Sequence, residues 1–158
     1  MDYNTLALLL LIILIIFIPY LIFKKEKINS EGTAGKLFNA YAERLEVNCD
    51  IVDIWRDTYG IGFDSKKKTL IYVNVVSNVQ SCIGLEDCKE VYLHQSEQTN
   101  TNFGKNKVKI EFVYLKIIPD SIHEEAYNIE LYNHNLHGLD GELQLGQKWK
   151  KIIATHIG

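Results

Sequence analysis

Proline is scarce in this 158-residue chain: two residues, Pro19 and Pro119. So few exclude a proline-rich linker or tail. Cysteine is scarce too. Cys49, Cys82 and Cys88 are odd in number and carry no CxxC spacing. A zinc ribbon and a disulfide framework are therefore excluded, and a reducing compartment fits. No N-x-Ser/Thr acceptor, HExxH motif, Gly-rich phosphate loop or internal repeat occurs. Positive charge is not in excess either. From Ser30 onward, 14 Lys and Arg face 18 Asp and Glu, an acidic balance that argues against a nucleic-acid partner.

Charge is missing altogether from one stretch. Leu6–Phe23 reads LALLLLIILIIFIPYLIF, eighteen positions without a charged residue, followed by Lys24, Lys25, Glu26 and Lys27. That length is about the minimum for a helix across the ~30 Å hydrocarbon core. A secretory signal would have a basic leader, a shorter apolar core and a small-residue cleavage site. The leader here is Met1-Asp2-Tyr3-Asn4-Thr5, and Tyr20–Phe23 is no cleavage site. Pro19 is tolerable in a membrane helix, where neighbouring groups re-satisfy the freed carbonyl. The expectation is a single-pass anchor. Its lysine flank stays on the cytoplasmic side, so the C-terminal domain is expected in the cytoplasm.

The remainder suits one domain with its own core. We divide the chain into an anchor with its basic flank (1–29), a juxtamembrane amphipathic helix (30–50) and a β-rich domain (51–158). Leu37, Phe38, Tyr41, Ala42 and Leu45 recur with helical spacing over Ala34–Val47. Strands are expected at Ile51–Asp64, Thr69–Val76, Asn78–Ile83, Glu90–His94, Val108–Ile118 and Tyr127–Asn133. Gln95–Asn106 (QSEQTNTNFGKN) reads as a long loop. At the end the period changes. Leu145, Trp149, Ile152, Ile153 and His156 form one helical stripe, with Lys148, Lys150 and Lys151 off it and Asp140 as N-cap. Gly146 weakens that helix by about 1 kcal/mol relative to Ala.

Short antiparallel strands followed by one amphipathic helix with a central Trp make a specific order of parts. Tyr59–Leu70 reads as a strand, a charged turn and a strand. Ile83–Leu93 reads as a small loop and a further strand, and Trp149 sits on the final helix. Over roughly Ile51–Ile157 this order resembles the pleckstrin-homology-like (PH-like) superfamily, especially its bacterial members. The resemblance implies a mixed, mainly β fold: an antiparallel barrel or sandwich with one end capped by the C-terminal helix. It implies binding of lipids, peptides or proteins, without catalysis. Lys66, Lys67 and Lys68 then occupy the place of the family's basic β1–β2 loop. The flanking Lys-x-Arg arrangement is missing, so inositol-phosphate specificity is not implied. The plain reading of the three lysines is a solvated hairpin tip. Their functional reading, shared with Lys24, Lys25 and Lys27, is contact with anionic lipid, worth ~1 kcal/mol per lysine near the surface.

Signs of enzyme chemistry are thin. His134 and His137, with His123-Glu124-Glu125, offer metal-like groups without a full ligand set. Cys82 and Cys88 with His94 have the makings of a thiol–imidazole pair, but as strand residues they read as small buried hydrophobes. Trp55-Arg56-Asp57 reads either as a partner-facing patch or as a Trp packed in the core or under the juxtamembrane helix, beside two solvated charges. The expectation is a non-enzymatic, membrane-tethered binding module that engages a protein partner, with anionic lipid contact. No cofactor, metal or small-molecule substrate is implied. The alternatives are a structural subunit of a membrane complex or a toxin-neutralising, immunity-type protein. A small hydrolase or a metal-binding protein ranks below these.

Overall fold

A tight turn splits the first β-rich segment in two. In the computed structural model, residues 32–102 and 105–158 are described, without side chains over 98–108. The elements run α1 (Thr33–Arg44), β1 (Ile51–Trp55), β2 (Tyr59–Asp64), β3 (Thr69–Asn74), β4 (Val79–Gly84), a 3-10 turn (Leu85–Asp87), β5 (Cys88–Asn102), β6 (Lys105–Pro119), β7 (Tyr127–Asn133) and α2 (Glu142–Ala154). The expected anchor and the flank of Lys24, Lys25 and Lys27 lie outside the described residues. Among those described, no helix is long and apolar enough to cross a membrane.

The chain is mainly β. Strands β1–β2–β3–β4 form one antiparallel sheet and β5–β6–β7 another, and neither closes into a barrel. The single strand expected over Ile51–Asp64 is a hairpin. Arg56 (φ 55) and Asp57 (φ 49) take left-handed conformations, and Trp55 pairs with Tyr59. Two consecutive left-handed residues suit the twist of a hairpin, but Asn and Gly are the usual occupants. Arg-Asp therefore gave no turn signal. The long loop expected over Gln95–Asn106 is also a hairpin arm, with backbone pairing from Gln95↔Val113 to Asn102↔Lys105. Its polar composition lacks the alternation of a half-buried strand, yet ladder hydrogen bonds do not need one.

The two sheets and α2 share a core of Ile61, Phe63, Leu70, Tyr72, Leu115, Ile117, Ile129, Trp149 and Ile153, among others. Strand β3 is buried on both faces. Leu70 and Tyr72 point into this core, while Ile71 and Val73 point outward to Phe38, Tyr41 and Val47. The helix expected as an amphipathic juxtamembrane element covers the outer face of the first sheet. Two glycines let it approach. A Cβ on Gly62 would lie 2.4 Å from Phe38 Cζ, and one on Gly60 would lie 3.1 Å from Phe38 Cδ2.

Helix α2 shows the same device. A Cβ on Gly146 would lie 2.6 Å from Leu93 Cδ1 and 3.0 Å from Leu131 Cδ1. The glycine that weakens the isolated helix lets it sit on the second sheet. Asp140 is not its cap. Gly141 takes that position at φ 87, with no side-chain cap bond. Trp149 is fully buried in the cluster that includes Tyr72 and Val91.

Candidate binding cleft

Alternation on β6 and β7 decides what lies outside the core. Val113, Leu115 and Ile117 point inward, so Phe112 and Tyr114 point to the other face of the second sheet. Ile129 and Leu131 point inward, which turns Asn128 and Glu130 outward. These four groups meet Tyr72, Asn74, Ser77 and Val79 of the first sheet around a cleft of about 400 Å³. His94, across the ladder from Tyr114, packs its ring 4.7 Å from the Tyr114 ring.

The floor of the cleft is a hydrogen-bonded carboxylate. Glu130 Oε1 accepts from Tyr59 Oη (3.0 Å) and Asn74 Nδ2 (3.2 Å). Its Oε2 accepts from Asn133 Nδ2 (3.4 Å), and its main-chain oxygen from Tyr72 Oη (2.8 Å). Burial, and then the Glu130 charge, push the Tyr59 hydroxyl well above its ordinary pKa. Burial does the same for Tyr72. Both stay protonated donors at neutral pH. Asn74 is itself fixed, because its Oδ1 accepts the N–H groups of Val76 (3.0 Å) and Ser77 (3.2 Å) and so shapes the β3–β4 turn. The lining contains no Lys, Arg, His or Cys. It offers aromatic walls, amides and one carboxylate, a set suited to a ligand that donates hydrogen bonds or carries positive charge.

The lysines singled out from the sequence lie elsewhere. Lys66, Lys67 and Lys68 form the β2–β3 turn, not a β1–β2 loop, because Ile51–Asp64 already contains a hairpin. Lys67 Nζ donates to the Glu46 carbonyl (2.7 Å), and Lys68 Nζ pairs with Glu86 (3.1 Å). Lys66 is exposed. Asp64 organises the turn. Its Oδ1 accepts from the backbone N–H of Lys66 (2.9 Å) and Lys67 (3.0 Å), and its Oδ2 from Asn48 N–H (2.9 Å).

Burial works against the charged form of Asp64, but the N–H donors of Lys67, Asn48 and Lys66 outweigh it. Its pKa therefore lies below the ordinary carboxyl value. A group depressed in this way contributes its stability fully above the unfolded-state pKa and loses it as pH falls through the folded-state value. That contribution should be constant down to about pH 5 and lost below about pH 4. Asp64→Asn should lower the denaturation midpoint at neutral pH and shrink the acid-side fall. Denaturant titrations across this range check it, and an unchanged fall in the variant would assign it to other carboxylates.

In Trp55-Arg56-Asp57 the Trp packs beside the core, while Arg56 is half-buried and Asp57 exposed, each charge holding a specific partner. Trp55 stacks on Tyr59 (5.1 Å) and donates its indole N–H to the Leu131 carbonyl (3.0 Å). Arg56 Nε donates to Glu142 Oε1 (2.8 Å), and Nη2 donates to the Gly138 carbonyl (3.0 Å). Burial disfavours the Glu142 carboxylate, but the Asp140 N–H and the Arg56 guanidinium outweigh it and hold its pKa down. Asp57 Oδ1 accepts the Ala34 N–H at the start of α1 (3.0 Å). One turn thus ties down both helices. The hollow of about 330 Å³ beside it is lined by these mutually paired charges.

The thiols are not activated. Cys88 is buried, and burial raises its pKa; Cys82, expected to be buried too, is exposed. His137 lies 3.4 Å from Thr58 Oγ1, and His134 lies 3.3 Å from Tyr132 Oη. Among the described residues no three His, Cys, Asp or Glu side chains are placed to hold a metal ion.

Sequence reasoning did not single out the cleft. Its one local signal was Asn128 and Glu130 alternating with Ile129 and Leu131. The chain matches no protein-family model, no curated protein and no solved structure.

Proposed function

We propose that this chain is a membrane-tethered, non-enzymatic binding module of PH-like architecture, whose cytoplasmic domain engages a protein partner in the cleft over Glu130. The four-strand and three-strand sheets, followed by a helix that buries Trp149, support the PH-like reading. The observation that carries the binding reading is the cleft itself. Its walls are aromatic and its floor is an ordered carboxylate. The Leu6–Phe23 run supports the tether.

The test is photo-crosslinking of the full chain in its native membrane. A photoreactive residue at Tyr114 should give a discrete protein adduct, and one at Lys66 should not. Glu130→Gln should weaken the Tyr114 adduct, and so should deletion of the anchor, by lowering the local concentration at the membrane. An adduct at Lys66 alone would move the binding site to the β2–β3 turn.

A further inference from the structure

Backbone and side-chain bonds gather one end of the domain around the β1–β2 turn. Val75 N–H donates to the Thr58 carbonyl (2.8 Å), which places the β3–β4 turn there. Arg56 reaches the Gly138 carbonyl and His137 reaches Thr58, which adds the β7–α2 loop. Asp57 accepts the Ala34 N–H, which adds the start of α1. The β2–β3 turn with Lys66, Lys67 and Lys68 lies at the opposite end of the same strands.

Exposed apolar side chains concentrate at this gathered end. Val76, in the β3–β4 turn, is 61% exposed, and Leu136 and Leu139, in the β7–α2 loop, are 37% and 39% exposed; Val79, 39% exposed, opens β4 and belongs to the cleft. Among the described residues the other large exposed hydrophobics are Tyr92 and Ile122. Single exposed hydrophobes are ordinary. Their collection at the end where the described chain begins is not. Residues 24–31 separate the uncharged run from α1, and eight residues reach at most about 30 Å.

We infer that this end is a bilayer-docking surface: Val76, Leu136 and Leu139 enter the interfacial layer of the membrane that holds the anchor. The inference rests on the tether reading above. The surface suits apolar contact with zwitterionic lipid, not headgroup recognition. Arg56 is taken by Glu142 and Gly138, and the Asp140 side chain is 89% exposed beside Leu139. The geometry also turns the lysine turn away from the bilayer.

The experiment uses the full chain in phosphatidylcholine vesicles, with and without brominated acyl chains. Leu139→Trp, Val76→Trp and Lys66→Trp place an indole at each end. Trp55 and Trp149 form a common background, and all three positions are exposed, so folding is not at stake. Flotation with vesicles that survives alkaline carbonate reports the tether by itself. The expected result is flotation of every variant, loss of most of the added emission for Leu139→Trp and Val76→Trp in brominated lipid, and none for Lys66→Trp. Adding anionic lipid should not increase the quenching. Flotation without quenching at Leu139→Trp and Val76→Trp overturns the docking surface and leaves the tether standing; another protein or a second copy would then cover that end. Quenching at Lys66→Trp, or quenching that needs anionic lipid, overturns it in favour of the lysine turn. Failure to float overturns the tether and the docking surface together.

Discussion

Trp149→Ala should unfold the domain or lower its melting point sharply. The indole is fully buried between the second sheet and the inner face of the first. Its Nε1 donates to Asp53 Oδ2 (2.7 Å), which also accepts from Lys148 Nζ (2.6 Å). One side chain thus links α2 to β1 as well as filling the core. Truncating a buried Trp typically costs ~3–5 kcal/mol, against a total stability of ~5–15 kcal/mol for a domain of this size. Trp149→Phe keeps most of the volume and removes the donor, so it should cost less. Lys151→Ala, exposed on the same helix, should leave the melting curve unchanged. Thermal denaturation of a chain beginning at Ser30 checks all three. A near-wild-type melting point for Trp149→Ala would remove the main structural support for the PH-like reading.

What the sequence made legible follows from local pattern. Strand β7 was read to the residue, Tyr127–Asn133, because Ile129 and Leu131 alternate with polar neighbours. The α2 stripe was legible because Trp149 and Ile153 lie one turn apart. Three features were hidden, each for a different reason. The β1–β2 turn was hidden because Arg56 and Asp57 adopt conformations that composition assigns to Asn and Gly. The cleft was hidden because Asn74 and Glu130, 56 positions apart, meet only after the two sheets pack. The docking of α1 was hidden because an amphipathic helix next to an apolar span reads equally well as a membrane-surface element. A clue did exist. Gly60 and Gly62 alternate on one face of an otherwise bulky strand, which marks close approach by another element.

That clue yields the second large effect. Glycine-to-alanine changes in strands commonly do no harm, but Gly62→Ala should destabilise by about 1–3 kcal/mol, as overpacking does. The new methyl would sit 2.4 Å from Phe38 Cζ and 2.8 Å from Cys49 Sγ, so α1 must lift or the ring must turn. Phe38→Ala should by itself cost about 3–5 kcal/mol, because the ring is almost wholly buried against Ile71 and Val73. The two changes should not add. With the ring gone, the closest contact of the Gly62→Ala methyl is removed while the Cys49 sulfur at 2.8 Å remains, so part of its cost should vanish. A coupling of the double-mutant cycle of about 0.5–3 kcal/mol is the expected signature of contacting residues. Chemical denaturation of the wild type, both single variants and the double variant measures it. Strict additivity would mean that α1 does not rest on the sheet in solution. The helix would then be free to act at the membrane surface as the sequence alone had it, and the domain would begin at Ile51 with an uncovered apolar face on β3.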